Sequence, residues 1–322
     1  MFALTCSAVV SVAAYKTPVT MGSVTSTSPT FPYVVSIASL LTRYCPEYLI
    51  SVSENDGNLD NSMEIRSGEV QIASCASYTD YENYNGVGPT FGGDPFKDFR
   101  ILWYNDIAML HICVANDSGI ESIRDLDGRP FSSGGAGTTA SCLIHALFDA
   151  LGVHPDYKDD LRQPEALEAY ITGKIDGVAK LGPVPDAYVS FINSARPIRM
   201  LPILEEDIDI VFEALPIVKS AVMSANLYDG VDYYTRCLFI YHGLQSNMSF
   251  SQKDGYRFFK AMWEDGKRIW QSAYQVGAGN DVPALTLQGA VTPLHAGTVQ
   301  YLVEHGYSVS ENLIPEEYVP SR

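Results

Sequence analysis

The fold class follows from one stretch, Ser132-Ser133-Gly134-Gly135-Ala136-Gly137-Thr138-Thr139, which we call the glycine loop. A short strand at 130–131 precedes it, and an amphipathic helix that ends at Gly152 follows. The apolar residues of that helix share one face of the 3.6-residue period: Leu143, Leu147, Ala150 and Leu151. A strand that turns through glycines into a helix is typical of α/β proteins.

The glycine loop has the chemistry of a small anion site. The first turn of a helix leaves backbone N–H groups without partners, and the helix dipole adds positive potential there. A carboxylate or phosphate is the expected ligand, and a tight turn that binds nothing is the alternative. No Lys-Ser/Thr pair follows the glycines and the spacing is not GxGxxG, so nucleotide-binding loops are excluded.

Composition restricts the class of partner. The 322 residues are 46% hydrophobic and 18% charged, with a formal net charge of −17. Such a composition predicts globular lobes, and the charge excludes nucleic acid and anionic membranes as partners. A small anion remains possible, because a local ring of N–H groups acts against the global charge.

The N-terminal segment 1–14 is the candidate targeting sequence. Its apolar run Phe2 to Ala14 is too short to span a bilayer and suits a signal peptide cleaved after Val12-Ala13-Ala14. A positively charged start is missing, and a buried first strand is the alternative. Cleavage would remove Cys6 and leave five cysteines, so at least one thiol is expected to be free.

The order of predicted elements indicates two lobes. Strand, helix, strand, helix and strand follow one another from residue 19 to 75, and the same order returns from 115 to 203. We therefore predict one lobe from residues 15–112 plus 236–322 and a second lobe from 113–235. Without a flexible linker, the chain must cross between them on two strands, near Leu110–Ala115 and Thr235–Tyr241.

Several expectations about individual elements can be compared directly with a structure. Separate strands are predicted at 100–104 and 109–115. The aromatic and glycine-rich segment 78–93 is predicted as a loop or broken helix, and 252–270 as one helix.

Five polar turns stand where a strand gives way to a helix: 23–28, 54–58, 77–78, 133–139 and 182–183. Ligands of open α/β sheets bind beyond the carboxyl ends of strands, so these turns are expected to converge on one cleft. Enzyme motifs such as HExxH, GxSxG and SxxK are absent from the sequence. Asp125 and Asp127 lack the spacing of a calcium loop. We therefore predict a binding protein without catalytic residues, metal or cofactor.

Several segments resemble the TAXI family of solute receptors of tripartite ATP-independent periplasmic (TRAP) transporters. The resemblance covers about residues 20 to 307 and rests on these segments: Ser118-Gly119-Ile120, Asp125 to Arg129, Ser132 to Thr139, Ile175-Asp176-Gly177 with Gly182-Pro183, Leu294 to Gly297, and Glu304-His305-Gly306. Asn61 and Tyr84-Asn85-Gly86 also match the family. The resemblance implies a two-lobed α/β fold of periplasmic-binding-protein type II (Venus flytrap) with two crossover strands.

The same resemblance implies a periplasmic, monomeric receptor that closes on a small organic anion and delivers it to a TRAP membrane permease. The alternatives are a receptor for an ABC importer of the sulfonate or thiamine-precursor type and, third, a related enzyme. Two segments depart from the family, Thr30-Phe31-Pro32 and Ala76-Ser77-Tyr78. They predict a pocket with fewer polar contacts, suited to one carboxylate on an apolar or ring-bearing body.

The turns and the resemblance together define a set of predicted ligand-binding residues. They are Ser23, Thr25, Phe31, Asn58, Ser77, Tyr78, Ser133, Gly135, Ala136, Gly137, Thr138, Thr139, Gly182 and Pro183.

Overall fold

The computed structural model describes residues 15–321. The signal-peptide prediction for residues 1–14 and Cys6 therefore lies outside the described residues. The strands are β1 (Thr17–Ser23), β2 (Tyr48–Glu54), β3 (Ile72–Ala76), β4 (Phe99–Ala115), β5 (Pro130–Ser132), β6 (Asp156–Tyr157), β7 (Gly177–Gly182), β8 (Ile198–Met200), β9 (Lys219–Met223) and β10 (Thr235–Asn247). The helices are α1 (Thr30–Tyr44), α2 (Asn58–Ser67), α3 (Ser77–Asn85), α4 (Gly88–Phe91), α5 (Thr139–Leu151), α6 (Gln163–Ile171), α7 (Ala187–Ala195), α8 (Ile208–Ala214), α9 (Gln252–Lys260), α10 (Lys267–Ala273), α11 (Val282–Gly289) and α12 (Ala296–Glu304).

The strands form one mixed sheet in the order β2-β1-β3-β10-β4-β7-β5-β6, with β8 paired to β4 and β9 paired to β10. Parallel β1, β2 and β3 belong to lobe 1, and parallel β5, β6 and β7 belong to lobe 2. The antiparallel strands β4 and β10 run through both lobes. β4 pairs with β10 from Phe99 to Met109 and with β7 from Met109 to Val114.

Strand β4 is one continuous strand, so the prediction of two separate strands at 100–104 and 109–115 was wrong. The polar residues Asn105 and Asp106 lie within the strand, where tertiary contacts satisfy the Asp106 carboxylate and the Asn105 backbone carbonyl. Tyr274 donates a hydrogen bond to the Asp106 carboxylate (2.5 Å), and Asn280 donates to the same carboxylate and to the Asn105 carbonyl (3.0 Å each). Buried polar groups are tolerated when hydrogen bonds replace water.

Segment 78–93, predicted as a loop or broken helix, is a broken helix: α3 ends at Asn85 and the short helix α4 begins at Gly88. One other expectation needs correction. The single helix predicted for 252–270 is divided into α9, a π-helical turn at Ala261–Asp265 and α10. The division occurs at Gly266, where a Cβ atom would lie 2.8 Å from both the Ala261 carbonyl oxygen and a Leu40 methyl.

The core consists of three clusters of buried apolar side chains. The largest draws its residues from 19–104 and 241–313, on the lobe 1 side. The other two draw theirs from 76–240 and lie mainly in lobe 2. The five described cysteines all carry free thiols. Within residues 15–321, no helix combines the length and apolarity that a membrane span requires.

A candidate ligand cleft between the lobes

One cleft lies between the two lobes at the carboxyl ends of their parallel strands. Its cavity volume is about 120 Å³, and it opens to solvent. Lobe 1 contributes the turns after β1 and β2, lobe 2 contributes the glycine loop and the end of β7, and the crossover strands form the floor. The lining residues are Val24, Thr25, Ser28, Pro29, Thr30, Asp56, Gly57, Asn58, Ile107, Ala108, Ser132, Gly134, Thr138, Thr139, Ala140, Gln163, Ala166, Val178, Ala179, Lys180, Leu181, Gly182, Pro183, Tyr188, His242 and Tyr274.

The glycine loop enters α5 with unpaired donors. Gly134, Gly135 and Gly137 have φ values of +112°, +91° and +77°, which side chains rarely allow. Thr138 caps α5 by accepting a hydrogen bond from the Ser141 N–H (3.1 Å). Within residues 15–321, no hydrogen bond is donated by the N–H groups of 137–140. These donors at a helix N-terminus are suited to an anion.

Asp159 supports the glycine loop from behind. Its carboxylate accepts hydrogen bonds from the Ser133 N–H (3.1 Å) and hydroxyl (2.5 Å), and its carbonyl accepts one from the Ala136 N–H (3.1 Å). The second carboxylate oxygen lies 2.6 Å from His145 Nε2. Burial alone would raise the pKa of Asp159, but the hydrogen bonds from His145 and Ser133 hold it below its usual value. The loop therefore has its shape before any ligand arrives.

The lobe 1 wall is built differently. Asn58 begins α2, and its side-chain carbonyl accepts a hydrogen bond from the Ser74 hydroxyl (2.7 Å). Ser74 also accepts one from Asn61 (2.8 Å), so the base of this wall is fixed to β3. The turn at 24–29 has an exposed support, because the Ser26 N–H donates to the Glu54 carboxylate (2.6 Å) at the surface.

Lys180 and His242 are the basic side chains of the floor and the lobe 2 wall. Lys180 is a half-buried residue of β7. The ion pairs of lobe 2 use other cations, such as Arg129 and Lys158, and Lys180 takes part in none within the described residues. Burial and the nearby Lys180 charge lower the pKa of His242 to about 4, so its imidazole is neutral at pH 7. This part of the cleft can therefore offer one positive charge and a neutral hydrogen-bonding ring.

The two lobes touch at the rim of the cleft, so the structure is in a closed state. A Cβ atom on Gly57 would lie 2.4 Å from the Gly137 carbonyl oxygen, and one on Gly137 would lie 2.7 Å from the Asp60 carboxylate. Arg162 of lobe 2 forms an ion pair with Asp56 of lobe 1 (3.0 Å). Burial and then the neighbouring Asp56 raise the pKa of Asp60.

The structure brings together only part of the predicted site. The predicted residues that line the cleft are Thr25, Asn58, Thr138, Thr139, Gly182 and Pro183. The others lie outside the lining: Ser23, Phe31, Ser77, Tyr78, Ser133, Gly135, Ala136 and Gly137. The hydroxyl of the buried Ser77 accepts a hydrogen bond from the Tyr241 N–H (3.1 Å), and the Ser133 hydroxyl donates a hydrogen bond to Asp159. Four of the five predicted turns reach the cleft, and the turn at 77–78 is the exception.

Sequence reasoning missed Lys180, His242 and Asp159. A signal was available for Lys180, since a lysine interrupts the apolar run Val178-Ala179-Leu181 of a strand predicted to be buried. Neither His242 nor Asp159 carries a local signal. Each acquires its position through strand pairing or contacts between residues distant in sequence.

Similarity to known proteins agrees with this architecture. The model of the NMT1-like family matches residues 21–306. The periplasmic binding protein BugD aligns over 89% of this chain and 94% of its own, at 14% identity and a TM-score of 0.53. A protein from Bordetella bronchiseptica RB50 aligns over 94% and 86%, at 15% identity and a TM-score of 0.51. XAC2383 from Xanthomonas citri, solved with a chloride ion, aligns over 81% and 90%, at 10% identity and a TM-score of 0.50.

These alignments show a shared fold. They confirm the predicted two-lobed α/β architecture of periplasmic-binding-protein type II with two crossover strands. The match to the family model is coarser than the resemblance to TAXI receptors, which stays a prediction.

Proposed function

The chain belongs to the NMT1-like family, and from this membership and the geometry of the cleft we propose that it is an extracytoplasmic receptor for a small organic anion. One observation carries the proposal. The free N–H groups at the start of α5, the buried Thr139 hydroxyl and Lys180 all belong to residues that line one closed cleft. No nucleophile with an adjacent base lines that cleft among residues 15–321, so we propose binding without catalysis.

Closure is the proposed mechanism. We propose that residues 15–112 plus 236–322 move as one lobe and 113–235 as the other, with bending in β4 and β10. The separation of the apolar core into a lobe 1 cluster and two mainly lobe 2 clusters supports this division. A ligand held by donors of lobe 2 gains the contacts of lobe 1 only in the closed state, and this difference shifts the population towards closure.

The Ser133 and Thr138 hydroxyls, predicted to hold the ligand, are already used within the protein. Ser133 donates to Asp159, and Thr138 donates to the Gly135 carbonyl (2.8 Å). We therefore propose that Thr139 supplies the hydroxyl contact and that Ser133 shapes the loop. We propose that the backbone N–H groups of Thr138, Thr139 and Ala140, which line the cleft, take the role that was predicted for residues 135–139, because Gly137 lies outside the lining and the Ala136 N–H donates to the Asp159 carbonyl.

The membrane partner is the finer part of the proposal. The TAXI-like segments favour a periplasmic receptor for a TRAP membrane permease, whereas membership of the NMT1-like family favours an ABC importer. Uptake assays with the permease genes neighbouring this one distinguish the two. Transport that requires ATP hydrolysis supports the ABC importer, and transport driven by an ion gradient supports the TRAP permease.

Native mass spectrometry of the protein purified from its own host tests the receptor function. We expect a bound small anion that is released when the protein unfolds and that rebinds to refolded protein with a stoichiometry of one. A protein that carries no solute and binds none of the host's extracted small molecules contradicts the proposal.

A further inference from the structure

Two buried polar atoms of the cleft wall have no hydrogen-bond partner within residues 15–321: Thr139 Oγ1 and His242 Nε2. Thr139 is 4% exposed and lies in the first turn of α5, beside the free N–H groups of the glycine loop. A buried polar group without a hydrogen-bond partner destabilises the protein. At the wall of a binding cleft, a ligand that supplies the missing partner removes this destabilisation.

Lys180 adds a positive charge that forms no ion pair within residues 15–321. Asp56, the acidic side chain of the lining, is already paired with Arg162. Asp186 is buried close to the end of β7, where a Cβ atom on Gly182 would lie 2.3 Å from Asp186 Oδ2 and 3.6 Å from Lys180 Cε. Asp186 Oδ1 caps α7 by accepting the N–H groups of Tyr188 (2.9 Å) and Val189 (3.1 Å), and no ion pair joins Asp186 to Lys180. A half-buried lysine without an ion pair gains a partner when an anionic ligand enters the cleft.

The groups around Lys180 disfavour a second negative charge on the ligand. His242 is neutral at pH 7, because burial and the Lys180 charge lower its pKa to about 4. Across the rim, the Asp60 carboxylate lies against Gly137. The part of the wall formed by Ile107, Ala108 and Leu181 is apolar. A second anionic group that lies beyond Lys180 and the start of α5 would face this apolar surface or the acidic rim.

On the basis of the proposed receptor function, we infer that the cleft selects singly charged anions with an apolar body. Lys180 pairs with the anionic group, Thr139 and His242 donate hydrogen bonds to it, and the body of the ligand lies against Ile107 and Leu181. Dianions of similar length are rejected, because their second charge has no partner in the closed state.

The test compares anions that differ in charge. Hexanoate and adipate, which share a six-carbon chain, are the length-matched pair; benzoate and hexanesulfonate are further monoanions, and glutarate and 2-oxoglutarate are further dianions. Thermal shift and calorimetry on the full chain are expected to show binding of hexanoate at least tenfold tighter than of adipate. The solute found by native mass spectrometry joins the panel, and its structure, assigned by fragmentation, gives its charge at pH 7.

Variants assign the charge to one residue. Lys180→Met is expected to weaken monoanion binding at least tenfold, and Lys180→Arg, which keeps the charge, to stay within a fewfold of the parent. Lys174→Met is the matched control, because Lys174 is an exposed lysine of the same lobe outside the cleft. Thr139→Val, which keeps the shape but removes the hydroxyl, is expected to weaken binding severalfold.

The outcomes separate the inference from the function on which it rests. Tighter binding of dianions, a doubly charged native solute, or unchanged affinity in Lys180→Met overturns the inference and leaves the receptor function standing. Absence of binding by every panel member, together with absence of any co-purified solute, overturns the receptor function itself.

Discussion

Each lobe contains a carboxyl group with a shifted pKa, and the two shifts are in opposite directions. In lobe 2, hydrogen bonds keep Asp159 ionised under the glycine loop, and its pKa is below the usual value. In lobe 1, Asp80 is a fully buried residue of α3 and accepts a hydrogen bond from the Tyr104 hydroxyl (2.7 Å). Burial raises the pKa of Asp80 to about 7.

The two walls of the cleft are stabilised by different interactions. The lobe 2 wall is fixed by charge-assisted hydrogen bonds, which also set the direction of the loop's N–H groups. The lobe 1 wall is held at its base by hydrogen bonds among the uncharged side chains of Asn58, Ser74 and Asn61. Its turn at 24–29 is supported at the surface, where the Ser26 N–H donates to Glu54. We expect lobe 2 to receive the ligand with little rearrangement and lobe 1 to adapt as the cleft closes.

The largest expected effect concerns Asp80 and pH. The pKa of Asp80 is raised on folding, so its contribution to stability is full below the unfolded value near 4 and is lost as pH rises towards 7. We expect the free energy of unfolding to fall by a few kcal/mol over this window and Asp80→Asn to flatten the profile. Glu82 has a pKa raised to about 7 by burial and contributes to the same slope.

Urea unfolding at pH 4.5 and pH 7.5 measures this effect. Asp98→Asn is the control, because Asp98 is an exposed carboxylate of the same lobe. An identical pH slope in Asp80→Asn and in the parent would show that Asp80 is ionised in the folded protein.

The next effect concerns contact between the walls. A methyl group at Gly57 would lie 2.4 Å from the Gly137 carbonyl oxygen in the closed state. The φ of Gly57 is −174°, so alanine fits its backbone conformation and lobe 1 itself should fold normally. Overpacking of this kind costs about 1–3 kcal/mol, which corresponds to roughly 5- to 150-fold weaker ligand binding.

Calorimetry with the native solute and small-angle scattering together check this expectation for Gly57→Ala. The control is Gly279→Ala, since nothing lies within 4 Å of a Cβ atom there. Unchanged affinity together with a compact bound state would show that the rim contact is not required for closure.

A smaller effect is expected for Asp159→Asn. The amide retains an acceptor but loses the charge, so the loss should be about 1 kcal/mol in the free energy of unfolding. Because the pKa of Asp159 is depressed, its contribution is present above the unfolded value near 4 and disappears at lower pH. Hydrogen exchange should become faster in peptides covering 132–142 and stay unchanged in peptides covering α12. Equal exchange rates of these 132–142 peptides in the parent and in Asp159→Asn would mean that the glycine loop keeps its shape without this carboxylate.

The smallest effect is expected for Arg162→Gln at the rim. The Arg162–Asp56 ion pair is largely exposed, so its removal should cost no more than about 1 kcal/mol of ligand affinity. The difference between parent and variant should shrink as salt is raised from 0.05 to 0.5 M. A large loss that does not depend on salt would indicate a direct contact between Arg162 and the ligand.

Local sequence patterns were sufficient for the fold and for the glycine loop. In the segment from Pro130 to Gly152, the glycines, the helix cap and the apolar period of 3.6 residues all lie within about twenty residues of each other. The same logic placed four turns at one cleft, because the carboxyl ends of parallel strands meet at one edge of a sheet.

Local sequence patterns could not predict which side chains support the cleft and which remain free for a ligand. Asp159 lies 26 residues from the Ser133 that it supports, and His242 reaches the floor only through the pairing of β10 with β4. Ser77 carried the expected residue type but is used by the Tyr241 N–H inside the sheet. Residue type and turn position predict which segments meet, whereas three-dimensional hydrogen bonding decides which side chains remain free for a ligand.

The irregular pairing of the crossover strands has a mechanical consequence. The register shifts between His242 and Gly243, opposite Asp106 and Tyr104, and leaves Asn105 as an extra residue. A Cβ atom on Gly243 would lie 1.8 Å from the Trp103 carbonyl oxygen, so at this point the backbones meet with no side chain between them. Such a bulge increases the local twist, and in the proposed closure we expect the two lobes to rotate about it. Because His242 adjoins the bulge and also lines the cleft, a ligand that contacts its ring would act at the point of rotation, where a small angle corresponds to a large displacement at the distant rim.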